Sequence, residues 1–448
     1  MSLKSAVAIT AGKSAHWFLK TFLHGGTALP GKLTLAIDPD VLKTLGANYE
    51  TVIITGTNGK TLTTALTVKT LRTKYSVLTN PSGSNMKQGI VTAFLTTQKT
   101  KSGKNLAILE TDEANVETVT RYLHPKVFVL TNIFRDQMDR YGEIYTTYEK
   151  ILKGIRLEPT ATIIANGDAP IFNSQPLPNP TIYYGIDQNN DQLLQAAPNT
   201  DGLLCPKCQH ILRYHQLSYS NLGKYFCPNC DFKRPVLTHQ VEKIIHQTPT
   251  SSALIIDHQP LTLQIGGTYN IYNALAAFSV ARFFGISAAK IAEVFNRNDE
   301  KVFGRQEVIS IQDKQATLIL VKNPVGLDQV LEMIKTDPDQ FSLAVLLNAN
   351  YADGIDTSWI WDGGFEKLPF EHIPAVLTGG ERWRDITFRL RVAGADQTNF
   401  QQAPALTKVV EQLKQLPTKK VYILATYTAM LQLRKLLAEQ GFIKEGME

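Results

Sequence analysis

Cys205, Cys208, Cys227 and Cys230 fall as CPKC, eighteen intervening residues, then CPNC. Two facing knuckles at that spacing offer four thiolates tetrahedrally to one zinc ion, and four protein ligands leave no position for water, so such a zinc is structural. A pair of disulfides is the competing use, one that a cytoplasmic chain disfavours. These are all the cysteines in the chain, so metal binding leaves no thiol to act as a nucleophile.

A second constellation lies in YETVIITGTNGKTLTTALTVKTL. An apolar strand (52–55) runs into Gly56, Thr57, Asn58 and Gly59 and then into a helix expected to reach about Lys74. In such a loop, backbone N–H groups close on a polyphosphate at the helix N-terminus, Lys60 adds a point charge and the Thr61 hydroxyl can hold magnesium. A full phosphate-loop motif would have glycine where Ile54 stands, and a tight turn would use the same glycines. Glu110 and Glu113 follow another apolar strand, where hard oxygen ligands suit magnesium shared with phosphates. VFVLTNIFRDQMDRYGE ends a third strand with Asp136, Gln137, Asp139 and Arg140. Either acidic cluster alone would pass for helix caps and surface ion pairs. Together they stand at the carboxyl ends of parallel strands, where a doubly wound sheet holds its ligand.

Positioning these groups requires a large α/β scaffold. The chain has 448 residues, 43% apolar, enough for two or three domains. Its net charge of +6 comes from 46 basic and 40 acidic residues without long single-sign runs, so it carries no nucleic-acid signature. No run of eighteen apolar residues exists, and Lys4, Lys13 and Lys20 interrupt the opening segment, which argues against a signal peptide or a transmembrane span. That segment suits an amphipathic helix, either on a membrane surface with Trp17, Phe18 and Phe22 inward or packed on its own domain.

GTNGKT, the TN…RDQMDRYGE cluster, NGDAP (166–170), GGTYNIYNALAA (266–277) and FGRQ (303–306) occur in the order seen in the Mur ligase superfamily, which this chain resembles over nearly its whole length. The resemblance implies ATP-driven conversion of a carboxylate into an acyl phosphate, attacked by an amine to give an amide. It implies Lys60 and Thr61 on phosphates and magnesium, Glu110 or Glu113 on the metal, Asn270 and Asn273 facing the nucleotide, and Arg305 reaching it from the next domain. Only 55 residues precede Gly56, leaving no room for the UDP-sugar domain of the peptide-adding ligases. Gln137 replaces their histidine, and 319–324 (ILVKNP) lacks the aspartate of their ribose motif.

The short N-terminus, RDQMDR, the cysteine insertion and ADGIDTSWIWD (352–362) are similar to one family in particular, the ligase-like MurT subunits of lipid II isoglutaminyl synthase. That likeness implies amidation of the D-glutamate α-carboxyl of lipid II, with ammonia from a GatD-type glutamine amidotransferase in a heterodimer. It implies a cytoplasmic protein working at or near the inner membrane face, with ATP, magnesium and structural zinc. It also implies that Asp356 completes the partner's Cys/His triad. Trp359 and Trp361 would suit interface anchors. On the residues alone, Asp353-Gly354 is a turn and Asp356 a helix cap. A folylpolyglutamate synthase-like ligase and a non-catalytic nucleotide-binding scaffold are the alternatives.

The expected architecture is a Mur ligase-like central phosphate-loop ATPase domain (46–303) carrying a zinc-ribbon insertion (200–236). An N-terminal segment (1–45) packs on it, and a Rossmann-like α/β C-terminal domain (304–448) follows, with strands near 316–322, 343–348, 375–378 and 421–425 and a helix over 427–439.

Overall fold

The stretches 52–54 and 106–109 are apolar on both faces, the pattern of a strand covered by helices on each side, and all seven side chains are fully buried. The computed structural model describes residues 2–22, 28–80, 84–97, 105–135, 143–188, 193–197, 200–297, 306–395 and 400–443. Arg305 and the cluster Asp136, Gln137, Asp139 and Arg140 lie outside the described residues.

Nine strands form the first sheet, in the order Gln259–Leu263, Ser252–Ile256, His239–Gln247, Thr181–Ile186, Thr162–Asn166, Val127–Leu130, Glu50–Thr55, Asn105–Glu110 and Ser76–Thr79. The seven from His239–Gln247 onward are parallel, and the other two turn back as a meander. Helix Lys60–Leu71 packs beside helix Thr268–Phe283. The former stops three residues short of the expected Lys74, because the chain turns there to let Tyr75 N–H bond the carbonyl of Leu71.

A second sheet runs Glu307–Ile311, Lys314–Leu320, Lys420–Ala425, Ser342–Leu346, Val376–Gly379 and Phe400–Ala403, parallel except for its first strand. The chain thus has the expected α/β class with parallel sheets, and helix Tyr427–Glu439 falls where the sequence places it. Strands Glu307–Ile311 and Phe400–Ala403 were not anticipated; both are short sheet edges, where neighbours and not apolar runs create the strand.

Helix Leu3–Phe22 seats Ser5, Ala8, Gly12 and Leu19 against the first sheet's helical layer. A side chain at Gly12 would overlap Thr34 Oγ1, so the glycine permits the close approach of helix Leu29–Ile37. Trp17, Phe18 and Phe22 are not the packed face: they are exposed. No helix among the described residues is long and apolar enough to cross a membrane.

Within the cysteine insertion, strands Arg213–Tyr219 and Leu222–Phe226 pair as a hairpin around a small core that includes Tyr214, Tyr225, Phe232, Cys205 and Cys227. Tyr219 and Leu222 of this hairpin join the first sheet's core, and a polar cluster adds to that tie. Arg234 donates to Asp168 Oδ1 at 2.9 Å and to Asp187 Oδ2 at 2.5 Å, and the fully buried Asp168 also accepts from Ile186 N at 2.8 Å and Tyr272 OH at 2.6 Å. Burial pushes the Asp168 carboxyl up, and Arg234 and these donors pull it back. Removing one partner of a buried pair strands the other charge. Arg234→Met should therefore lower unfolding stability by about 3 kcal/mol or more, read as a shift in denaturant midpoint. The double variant Arg234→Met/Asp168→Asn should recover a substantial part, and strictly additive losses would show that the two side chains act independently.

Candidate nucleotide site and metal centre

Gly56 and Gly59 hold φ of +131° and +86°, conformations that side chains rarely adopt. Space excludes side chains as well: a Cβ at Gly59 would sit 1.9 Å from Asn273 Oδ1, and one at Gly56 2.3 Å from Thr131 Oγ1. Between them, Asn132 bonds both sides of the loop, accepting from Asn58 N at 2.9 Å and donating to Asn58 O at 3.1 Å. Its carbonyl accepts from Thr57 N at 2.8 Å, and Thr57 Oγ1 exchanges hydrogen bonds with the backbone of Phe134. The turn after strand Val127–Leu130 therefore shapes the loop after strand Glu50–Thr55. The TN dipeptide was its only sequence signal.

Lys60 begins the helix and is buried. Its ammonium donates to the Gly56 carbonyl and, at 3.1 Å, to Glu113 Oε1. Burial opposes that charge, but the carboxylates of Glu113, Glu110 and Asp112 outweigh it and hold the Lys60 pKa above the ordinary lysine value. Burial pushes Glu113 up as well, only partly offset by Lys60. Glu113 is carried by the short turn Glu113–Asn115, which Asp112 caps by accepting from Ala114 N. Glu110 closes its strand with its backbone held at both N–H and C=O by the buried Asn80, a residue the sequence did not flag. Three buried carboxylates, Glu110, Asp112 and Glu113, act on the charge of Lys60, and Thr61 next to it in the chain is half-buried; carboxylate and hydroxyl oxygens are the donor types that magnesium takes.

Asn270 and Asn273 are both buried on helix Thr268–Phe283. Asn273 lies beneath Gly59, whereas Asn270 turns back to the Gly266 carbonyl at 2.6 Å. Gln306, at φ +55°, bonds both N–H and C=O of Gly266, clamping the start of that helix. The ILVKNP segment contributes Asn323: its amide and that of Asn58 exchange hydrogen bonds of 3.1 and 3.3 Å, and it caps helix Pro324–Lys335 through Gly326 N. A cleft of about 550 Å³ opens where the first sheet, the insertion and the second sheet meet, lined by Gly267 and Thr268, Ser218 and Tyr219, and Pro324 and Val325.

The four cysteine sulfurs lie within 4.8 Å of one another and form no disulfide; Cys205–Cys230 is 3.6 Å and Cys208–Cys227 3.4 Å. A tetrahedron of Zn–S bonds of about 2.3 Å has edges of about 3.8 Å, so the cluster fits one zinc with little adjustment.

In ADGIDTSWIWD the two central aspartates differ sharply. Asp353 is buried, caps helix Tyr427–Glu439 by accepting from Thr428 N at 2.7 Å, and fixes the turn through Asn350 N; Gly354 follows at φ +91°. Asp356 is exposed and accepts from Ser358 N at 2.8 Å and Ser358 Oγ at 2.9 Å, starting the turn Ser358–Trp361. Two acceptors used leave lone pairs for a further donor. Trp359 is half-buried and packs against the second sheet's core; Trp361 is exposed and meets Phe388 edge-on at 5.8 Å.

Comparison with known proteins gives concordant matches. Residues 54–230 match the family model for the Mur ligase middle domain and 320–430 that for the MurT ligase C-terminal region. The pseudomurein peptide ligase type C of Methanothermus fervidus has the same fold, with TM-score 0.66 at 20% identity over 90% of this chain and 81% of that one. MurF of Thermotoga maritima, solved with ADP, gives TM-score 0.61 at 14% identity over 91% and 85%. The lipid II isoglutaminyl synthase (glutamine-hydrolyzing) subunit MurT of Staphylococcus aureus strain N315 is 34% identical over 378 residues, 82% of this chain and 83% of its own. Its Streptococcus pneumoniae R6 counterpart is 51% identical over 448 residues, the full length of both chains. With a glycine loop, a cysteine cluster and a second α/β sheet arranged as described, this chain belongs to the MurT family of the Mur ligases.

Proposed function

We propose that this chain is the synthase subunit of a lipid II isoglutaminyl synthase. In this reading it amidates the α-carboxyl of D-glutamate in the lipid II stem peptide to D-isoglutamine, a step of peptidoglycan biosynthesis. The observation that carries it is where the thiols are: every cysteine of the chain sits in one cluster with the spacing to hold a metal ion, while the relatives bear the name of a glutamine-hydrolysing enzyme's subunit. A chain with no spare thiol needs a second subunit for cysteine-based glutamine hydrolysis. That partner is read as a GatD-type amidotransferase in a heterodimer.

The substrate carboxylate attacks the γ-phosphorus of ATP and ADP leaves, giving an acyl phosphate; ammonia then attacks the acyl carbon and phosphate departs. Lys60, kept charged by its carboxylate neighbours, and the N–H groups of Gly59 and Thr61 are assigned to the phosphates, while Gly56, Thr57 and Asn58 shape the loop, the last two donating their N–H groups to Asn132. Thr61 with Glu110 or Glu113 would hold magnesium, which neutralises phosphate charge when bound. Asn270, Asn273 and Arg305 are assigned to the nucleotide. Ammonium has no lone pair with which to attack, so neutral ammonia must be produced nearby and shielded from water. Asp356, exposed beside Trp361, is assigned to orient the partner's catalytic histidine. Residues 46–303 and 304–448 are taken as the two domains that close on ATP and substrate, with zinc stabilising 200–236. The work is assigned to the cytoplasm, where ATP is supplied, at the inner face of the membrane.

The purified chain with its amidotransferase, lipid II, glutamine and ATP should yield amidated stem peptide by mass spectrometry; unchanged lipid II under turnover conditions would exclude the assignment. Lys60→Ala should cut phosphate release by at least about a hundredfold. Asp356→Asn should leave the complex intact on gel filtration yet lower glutamine hydrolysis by about 10³–10⁴-fold, with synthesis partly restored by free ammonia at raised pH. Normal glutaminase turnover in that variant would reduce Asp356 to its capping role. Wild-type protein should carry one zinc per chain by metal analysis, and Cys208→Ser should lose it together with thermal stability.

A further inference from the structure

The modest overall charge hides an uneven distribution. Residues 1–109 hold thirteen Lys and Arg against only Asp38, Asp40 and Glu50, a net +10, so the rest of the +6 chain sums to −4. Helices Leu3–Phe22, Leu29–Ile37, Val41–Gly46 and Lys87–Thr96, which pack on one another, carry six lysines and no acid. Lys4, Lys13, Lys20 and Lys32 are all exposed, and none forms an ion pair with the described residues. Asp38, the acid nearest in sequence, is buried and accepts from Ser5 Oγ at 2.6 Å.

The same surface is apolar where it faces outward. At 100° per residue, Leu3, Val7, Trp17 and Phe18 fall opposite the packed Ser5, Ala8, Gly12 and Leu19. Leu3 is 83% exposed, Trp17 64% and Phe22 60%, with Leu29 of the neighbouring helix at 54%. The rings cluster in the open, Phe18 and Phe22 at 4.9 Å and Trp17 and Phe22 at 6.1 Å between centroids. Single exposed apolar residues need no explanation, but a cluster such as Trp17, Phe18 and Phe22 marks an interaction site, with Leu3 and Val7 beyond the exposed Thr10 and Ser14 on the same face. Aliphatic and aromatic side chains fringed by lysines, with Asp40 the exposed acid on the turn after the second helix, match a helix lying in a bilayer interface, with apolar groups in the headgroup boundary and ammonium groups on anionic headgroups. A nucleic acid would engage the lysines and rings but has no use for Leu3, Val7 and Leu29.

We propose that the face formed by helices Leu3–Phe22 and Leu29–Ile37 docks the protein on an anionic lipid surface. Trp17, Phe18 and Phe22 enter the headgroup boundary, and the four lysines meet lipid phosphates. Docking holds the protein in the plane in which a lipid-linked substrate diffuses, a consequence that rests on the function proposed above; the surface itself does not.

The test is co-sedimentation of the full chain, with its amidotransferase present, with vesicles of phosphatidylcholine alone or mixed equally with phosphatidylglycerol. The chain should sediment with the mixed vesicles and be partly released by salt. Trp17→Ser/Phe18→Ser and Lys13→Glu/Lys20→Glu should each lower partitioning about tenfold with unchanged circular dichroism and thermal midpoint. Absence of binding to mixed vesicles, equal partitioning of both variants and wild type, or preference for a single-stranded oligonucleotide over vesicles would each overturn the proposal. Vesicle binding without amidation would overturn the function and leave this surface standing; amidation without vesicle binding would do the reverse.

Discussion

A single ammonium group among three buried carboxylates is the interaction around which the first sheet is arranged. Removing charges from water costs several kcal/mol per ion unless geometry and hydrogen bonds compensate. Here the compensation comes from three strand ends: the Gly56 carbonyl and Glu113 hold Lys60, Asp112 holds the turn that carries Glu113, and Asn80 holds Glu110. Lys60 and the nearby Lys322, which also attracts Glu113, face three carboxylates, so the mouth of the loop offers an attraction for a divalent cation.

The sequence reveals those parts of this arrangement that are local. Apolar runs ending at Thr55, Glu110 and Leu130 mark parallel strands, and the cysteine spacing marks a metal cluster because two knuckles are short-range objects. What escapes is the set of contacts that fix the loop: Asn132 on Asn58, Gln306 on Gly266, and Asn58 on Asn323 across 265 residues of chain. Such pairs leave no periodic trace, and a polar side chain at a loop reads the same whether it is solvated or holds a distant backbone. Helix Leu3–Phe22 shows the same limit. Its apolar residues were visible, but which of them pack was decided by Gly12 and Ala8, the small residues that let a second helix approach.

The cysteine cluster and the pair Asp353 and Asp356 show how residues of one type are placed differently by the fold. All thiols sit in the insertion, whose hairpin is fastened to the first sheet by Arg234 and Asp168, and through Tyr272 to the helix that carries Asn273. Three positions apart, Asp353 spends its oxygens inside the fold and Asp356 keeps acceptor capacity outside it. The outer carboxylate thus holds its own turn through Ser358 and still has lone pairs for another donor.

The reciprocal amide bonds between Asn58 and Asn323 carry a mechanical implication. Both groups are neutral, so the link is worth only about 1 kcal/mol per bond, far weaker than either sheet it joins. Because Asn323 also begins helix Pro324–Lys335, the position of that helix and the shape of the glycine turn are set by one pair of side chains.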